Sequence, residues 1–279
     1  MGMMKIPQKA ISQLITQNDI LEQLKELGVH SGMILEVHAS LSSFGYVCGG
    51  AQAVVNALIE AVGYSGTILM TMHNSENTEP STWASPSLER HLIRSVREQM
   101  PAFNKKETDA LNMGAVVDNF RRRDGVVISN HPNCASVAWG KYAKLLCNRQ
   151  SYHFPLSEES PNARMYELKG SVLLMGTDYK ACTSMVLSQY RSDICPVVLR
   201  GAAVEIDGKR VWKKYLDLDV NNEDFNKIGK ILEEKGFVQK TRLGNADLRL
   251  FKADAAINEA TRYFTKDHPY SRYLLATIL

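Results

Sequence analysis

The sequence predicts an α/β fold, a three-layer α/β/α sandwich around a mixed central sheet, on three observations. Short strand-like apolar runs alternate with helical runs over most of the chain. A late hairpin signal, Asp207-Gly208, breaks that alternation and brings antiparallel pairing. Hydrophobic residues make up 44% and charged residues 23%, a balance that packs a core and excludes disorder as the main state. No low-complexity linker or internal repeat divides the 279 residues, so one domain over 1–279 is expected.

The elements follow in order. Apolar spacing near 3.6 predicts a helix over 19–27, closed by Gly28, and 33–37 reads as a short buried strand. A second helix starts at Gly49-Gly50 and runs through Val54, Leu58 and Val62, with 67–72 strand-like after it. Residues 74–87 are polar, contain Pro80 and Pro86, and read as a long loop of the kind that often carries function. Helices are expected over 88–99 and 110–122, then strands over 126–129 and 171–175, the last running into Gly176. A helix over 183–191 precedes the hairpin, which alternates over 202–218. Residues 222–235 read as a helix closed by Gly236. The tail supplies strands over 237–242 and 247–251 and an amphipathic helix over 254–264.

Composition narrows the class. A net charge of +3 is too small to argue for nucleic acid. The triplet Arg121-Arg122-Arg123 reads as a solvated helix end, where cations face the negative end of the dipole. No stretch approaches the ~20 apolar residues that span a bilayer. Met1 to Lys9 lacks the apolar core and cleavage site of a secretory signal, so a cytoplasmic protein without a membrane partner is expected. Cys48, Cys134, Cys147, Cys182 and Cys195 are odd in number, scattered and without a C-x-x-C pair. That pattern predicts free thiols and no zinc site. A homo-oligomer is compatible with the sequence, which leaves the state open.

Four segments carry chemistry. In the first, Val37-His38-Ala39-Ser40-Leu41-Ser42-Ser43-Phe44-Gly45, a strand ends in a polar loop, and Gly49-Gly50-Ala51 then opens a helix. Free N–H groups and the positive dipole at that start suit a phosphate, and glycine lets the backbone approach it. The same pattern also serves as a plain helix start. The second is Ser129-Asn130-His131-Pro132, leading to Ala138-Trp139-Gly140. Pro132 holds His131 extended, either for a ligand or as a hydrogen-bonded structural residue. In the third, Glu158-Glu159-Ser160-Pro161, Ser160 reads as a helix cap with Pro161 at the first helical position. The fourth, Leu173 to Asp178 and then Cys182-Thr183-Ser184, is a buried strand opening into a loop and helix, where α/β sheets place ligands.

Together these segments resemble the aminoglycoside 3-N-acetyltransferase family. That family has a strand ending V-H-S-S-L-S, then G-G-A-x-x-V, S-N-H-P-x-x-S-F-x-A-W-G, E-x-S-P and G-x-x-x-x-x-x-T-x-x-H-L-x-E. Here they stand as Val37 to Ser42, Gly49 to Val54, Ser129 to Gly140, Glu158 to Pro161 and Gly176 to Gln189. The hairpin from Gly208 to Lys213 and Gly244-Asn245-Ala246 also match, so the order is kept over nearly the whole chain.

The resemblance implies acetyl transfer from acetyl-CoA, as co-substrate and without a metal, to a small-molecule amine. In the family this is the 3-amino group of a 2-deoxystreptamine antibiotic. It implies that His38, Ala39, Ser40, Leu41 and Ser42, with Gly49 and Gly50, hold the CoA pyrophosphate and pantetheine. His131 and Ser136 join that set by the same resemblance. Departures are equally specific: Val186 and Gln189 stand where the family has its catalytic histidine and glutamate. Ala39 replaces the first serine of S-S-L-S. Ala135 replaces the serine of H-P-x-x-S, with Ser136 one place later.

Valine cannot move a proton and glutamine carries no charge, while a proton acceptor contributes ~10²–10⁴ in rate. The expected catalytic set is therefore Thr183 with Asp178 or His38 as base. An acetyl-Cys182 route would need an activated thiolate, against the plain reading of a packed cysteine. Two functions follow: an acetyl-CoA-dependent N-acetyltransferase with an altered or weakened site, or a non-catalytic CoA- or ligand-binding homologue. Glu76, Glu79 and Glu89, within 74–89, would attract a polycationic aminoglycoside.

Overall fold

The computed structural model describes residues 13–84, 87–110 and 113–267. Leu111 and Asn112 of the helix expected over 110–122, Ser85 and Pro86 of the long loop, and Met1 to Lys9, where no secretory signal is expected, lie outside the described residues.

β1 (Leu14–Ile15) leads into α1 (Gln17–Glu26) through a capping box at Thr16. The Thr16 hydroxyl accepts from the Asp19 amide at 3.2 Å, and the Asp19 carboxylate accepts from the Thr16 amide at 2.8 Å. β2 (Ile34–Ala39) follows, then β3 (Tyr46–Val47), α2 (Gly50–Val62) and β4 (Thr67–His73). After the long loop come α3 (Ile93–Gln99), α4 (Gly114–Phe120), β5 (Val127–Ile128), β6 (Cys134–Gly140), α5 (Ala143–Cys147) and α6 (Pro161–Glu167). The remaining elements are β7 (Ser171–Met175), α7 (Thr183–Ser192), β8 (Val197–Ile206), β9 (Lys209–Leu218), α8 (Phe225–Glu234), β10 (Val238–Leu243), β11 (Ala246–Lys252) and α9 (Ala253–Asp267).

Among the described residues seven strands form one mixed sheet in the order β10-β11-β7-β2-β4-β6-β5. β2 runs parallel to both β4 and β7, and the outer pairs are antiparallel. Side chains alternate across a strand, so each central strand serves two cores. Leu35 and Val37 join α1, α2 and α4 on one face, in a cluster with Leu58, Phe120, Leu173 and Met175. On the other face Val172 and Leu174 pack with Met185 of α7, Ile228 of α8 and Ile257 of α9. This is the three-layer α/β/α arrangement expected, with helices on both sides of the sheet.

Differences from expectation have local causes. The hairpin pairs cleanly, Ile206 with Lys209, but β8–β9 is a separate two-stranded sheet. The antiparallel pairing of the central sheet comes instead from β5, β6, β10 and β11. β6, with the sequence CASVAWG, carries small residues that give little β signal on their own, and tertiary burial decides it. The helix expected over 88–99 shortens to α3 after a 3₁₀ turn at Arg90–Leu92, and α3 buries no residue.

The arginine triplet is not simply solvated. The Arg121 side chain is only 8% exposed, paired with Asp118 at 3.0 Å, while Arg122 is exposed. All five cysteines are free thiols. No helix of the described residues is long and apolar enough to cross a membrane.

Candidate active site

β2, β4 and β7 are parallel, so their carboxyl ends come out on one edge of the sheet, where α/β folds gather ligand groups. A cavity of about 560 Å³ opens there, with His38, Thr71, His73, Thr183 and Val186 on its walls. Gly176 closes the loop after β7 tightly against the loop after β2. Its φ is +67°, and an added Cβ would stand 2.6 Å from the Ser43 Cβ. The Ser43 hydroxyl donates to the Gly176 carbonyl at 2.7 Å.

Glu36 and His38 lie on the same face of β2, the face turned toward α6 and α7. Glu36 is 1% exposed, and its Oε1 lies 3.2 Å from His38 Nε2. Asn162 Nδ2 donates to Glu36 Oε1 at 2.7 Å, and the Ser184 hydroxyl donates to Oε2. Asn162 is aimed by the cap that the sequence shows: Ser160 Oγ accepts from the Ala163 amide at 3.0 Å, with Pro161 beginning α6. Burial alone would raise the Glu36 carboxyl. The His38 charge and the hydrogen bonds from His38, Ser184 and Asn162 outweigh it and hold the group below the usual carboxylate range. The carboxylate is therefore charged at neutral pH.

With Nε2–H given to Glu36, the His38 Nδ1 is left as an acceptor, and among the described residues it takes no hydrogen bond. The Thr183 amide N–H also points at Nε2, at 3.4 Å, but the nearer, charged Glu36 carboxylate keeps the proton on Nε2; the Thr183 and Thr71 hydroxyls are 2.8 Å apart. His73, at the end of β4, lines the same cavity. Burial pulls its pKa down to about 4, the His38 charge pushes the same way, and the Glu36 charge opposes both. Its Nε2 is buried without a hydrogen-bond partner.

A second cavity of about 600 Å³ adjoins the first, and both are walled by Ala39, Ser40 and Met113. Leu41, Ser42 and Gly50 complete its inner wall. α2 begins here with no side-chain cap, and a Cβ on Gly50 would meet nothing within 4 Å. Uncapped amides, an open glycine and serine hydroxyls fit a phosphate-bearing chain such as CoA.

Among the sequence-predicted residues, the structure brings His38 and Thr183 together and puts Ala39, Ser40, Leu41, Ser42 and Gly50 along the adjoining cavity. Gly49 caps α2 just outside that wall. Asp178 is not brought in: it is exposed and caps the turn Tyr179–Ala181, accepting from the Lys180 amide at 3.0 Å and Asn226 Nδ2 at 2.9 Å. His131 and Ser136 line neither cavity. His131 is fully buried, its Nε2 on the Tyr152 carbonyl at 3.2 Å and its Nδ1 accepting from the Asn133 and Cys134 amides at 3.2 and 2.9 Å. That is the structural-histidine alternative. Ser136 is 2% exposed, its amide held by Ser129 Oγ at 2.8 Å.

Cys182 is fully buried, and burial followed by the Glu36 charge pushes its thiol well above the ordinary range, as for a packed cysteine. Val186 faces the cavity, but Gln189 does not. Gln189 is 0% exposed, donating to the Asn221 carbonyl at 2.5 Å and accepting from its amide at 3.1 Å. A carboxylate could only accept there.

Glu36, Thr71 and His73 are site residues the sequence reading passed over. The available signal was a lone charge inside an apolar strand, two residues before a histidine, because a buried carboxylate is rare unless paired. The three loop acids do not wall the cavity: Glu79 is clamped by Arg97 Nη2 at 2.5 Å, Glu89 stands 3.3 Å from His91, and Glu76 is exposed.

The family model for aminoglycoside 3-N-acetyltransferase matches residues 37–265. The chain is 38% identical over 250 residues to the SPbeta prophage-derived aminoglycoside N(3')-acetyltransferase-like protein YokD of Bacillus subtilis (strain 168), covering 89% of this chain and 92% of that one. It is 28% identical over 261 residues to aminoglycoside N(3)-acetyltransferase VII of Streptomyces paromomycinus, covering 86% and 88%. The crystal structure of YokD from Bacillus subtilis matches with a TM-score of 0.89, covering 92% of this chain and 96% of that one. That of aminoglycoside acetyltransferase AAC(3)-Xa matches with a TM-score of 0.83 at 29% identity, covering 91% and 94%. The family model spans most of the chain and the relatives and solved structures are of one kind, so the chain belongs to the aminoglycoside 3-N-acetyltransferase family.

Proposed function

We propose that this protein is an acetyl-CoA-dependent N-acetyltransferase acting on an amine, with His38 as the proton acceptor in place of a histidine on α7. The observation that carries this reading is the charged Glu36 against His38 Nε2 at 3.2 Å, in a cavity continuous with the glycine-led one. Acetyl-CoA supplies the acetyl group as a thioester, with Ala39 to Ser42 and Gly50 as its binding wall. An amine attacks only as the free base: its bond to the acetyl carbon forms as the thioester C–S bond breaks, His38 Nδ1 takes the proton it sheds, and CoA leaves as the thiolate, which the imidazolium protonates. Such an acceptor contributes ~10²–10⁴ in rate. Glu36 keeps the ring oriented and stabilises the imidazolium that forms.

The Thr71 and Thr183 hydroxyls supply polar contacts beside the reacting atoms. Free thiols and a reducing compartment fit a cytoplasmic location. Among relatives, a mutant of aminoglycoside acetyltransferase AAC(3)-IVa, 27% identical with a TM-score of 0.78, was crystallised in complex with a gentamicin, which makes gentamicin one acceptor to test. The competing reading, a non-catalytic CoA-binding homologue, is favoured by Val186 and Gln189 at the family's acid–base positions.

Calorimetric titration of acetyl-CoA, read beside thiol release with gentamicin and simple primary amines, separates the two. Binding with amine-dependent release is the expected result. Binding without release from any amine would overturn the enzymatic reading and leave the CoA-binding homologue.

A further inference from the structure

The charge on the cavity wall bears on what the acceptor is. Among the described residues the wall carries no Asp or Glu side chain, and its ionisable groups are His38, His73, Cys182 and Lys180. Nearby carboxylates are already engaged. Glu36 lies behind His38, and Asp178 is held by the Lys180 amide and Asn226. Asp217 accepts from the Tyr190 hydroxyl at 2.6 Å and the Leu218 amide at 2.9 Å. Glu79 is bound to Arg97.

Lys180 is the reverse case. Its backbone is fixed at both ends, the amide on Asp178 Oδ1 at 3.0 Å and the carbonyl on Asn222 Nδ2 at 2.9 Å. Among the described residues its ammonium makes no ion pair or hydrogen bond. The cation is rooted at the rim and free at the tip. Behind the cavity wall the buried His73 Nε2 lacks a partner, an arrangement that costs stability. A polycation entering here finds no counter-charge for its additional ammonium groups and meets Lys180 with the wrong sign. A molecule with one amine and one anionic group finds His38 for the amine, the Thr71 and Thr183 hydroxyls for polar atoms, and Lys180 for the anion.

We infer that the acceptor is a mono-amine bearing an anionic group, a carboxylate or a phosphate ester, held through Lys180, and not a polycationic aminoglycoside. The inference rests on reading this cavity as the acceptor site.

The test compares thiol release from acetyl-CoA with O-phosphoethanolamine, 4-aminobutyrate, butylamine and gentamicin, for the parent and for Lys180→Glu and Lys180→Met. Calorimetric binding of the same compounds in the presence of CoA is measured in parallel. An anionic acceptor should exceed butylamine and gentamicin in kcat/KM by about tenfold or more, through KM, because Lys180 acts away from the reacting atoms. The order of phosphate and carboxylate tells which anion the rim prefers. Lys180→Met should remove that advantage, and Lys180→Glu should reverse it toward gentamicin. Gentamicin as the best parent substrate, or an unchanged preference in both variants, would overturn the inference. If nothing turns over, the binding titrations still decide it: anion binding lost in Lys180→Glu upholds the inference while the catalytic reading fails, and binding of gentamicin alone overturns it.

Discussion

Glu36 and His38, two residues apart on one face of β2, stand with 3.2 Å between the Glu36 carboxylate Oε1 and His38 Nε2, at the wall of a cavity that Val186 also lines. The pair proposed for acid–base work thus sits on a central strand, and α7 contributes Ser184 as a donor to the carboxylate.

Replacing Glu36 by Gln leaves an oxygen that accepts from His38 Nε2–H and Asn162 Nδ2, with the Ser184 hydroxyl turned to accept from the amide nitrogen, but removes the negative charge that stabilises the imidazolium. Thiol release should fall on the order of 10²-fold, the scale of losing a positioned base, while acetyl-CoA binding by calorimetry stays unchanged. Parent-like turnover would show that His38 needs no carboxylate.

Stability should fall toward acid because two histidines, His131 buried and His73 partly so, resist protonation. His73 and His131 have pKa values near 4 against an ordinary 6.5, each chiefly through burial. The unfolded chain binds their protons first, so folding stability is full above pH 6.5 and is lost as pH falls toward 4. The slope approaches about 1.4 kcal/mol per pH unit for each histidine. Urea unfolding between pH 4.5 and 7.5 should give a flatter profile for His73→Gln than for the parent. Equal slopes would mean that His73 titrates normally.

Gly50 should mark the CoA wall. Its φ of +55° and the open space at its Cβ mean that a large side chain there projects into the cavity without striking the protein. Gly50→Leu should weaken CoA binding at least tenfold, an effect of about 1.4 kcal/mol or more. Asn tolerates this backbone region, so Gly50→Asn should lose less. The measurement is CoA titration on variants with parent-like circular dichroism. Undiminished binding to Gly50→Leu would remove the helix start from the binding wall.

Restoring the family residues on α7 should fail for a structural reason. Gln189 donates to and accepts from the Asn221 backbone, so Gln189→Glu leaves a carbonyl without its donor at a cost of about 1–3 kcal/mol. Val186→His faces the cavity and carries no such cost. Urea unfolding should rank Val186→His above the double variant, and a double variant as stable as the parent would contradict the assigned role of Gln189.

Much of the fold was legible because it is written locally. Apolar periodicity located α1, α2, α7 and α9, and Asp207-Gly208 located the hairpin turn. Ser160-Pro161 gave the start of α6. β6 was not legible, since its small side chains acquire strand character only between β4 and β5. The site was half legible. His38 and Thr183 carry chemistry visible in their own segments. The role of Glu36 depends on Asn162 and Ser184, 126 and 148 residues away, and His73 enters through the parallel register of β4. Asp178 and His131 show the converse: reactive residue types at suggestive places, each consumed by local hydrogen bonds.

Steady-state thiol release by His38→Gln, with acetyl-CoA affinity measured on the same preparation, tests the central claim most directly. Glutamine keeps a polar side chain of similar reach but cannot take up a proton. Turnover with the best acceptor should drop by ~10²–10⁴, with acetyl-CoA still bound at parent affinity. A His38→Gln protein that turns over at the parent rate would contradict the assignment of His38 as the base.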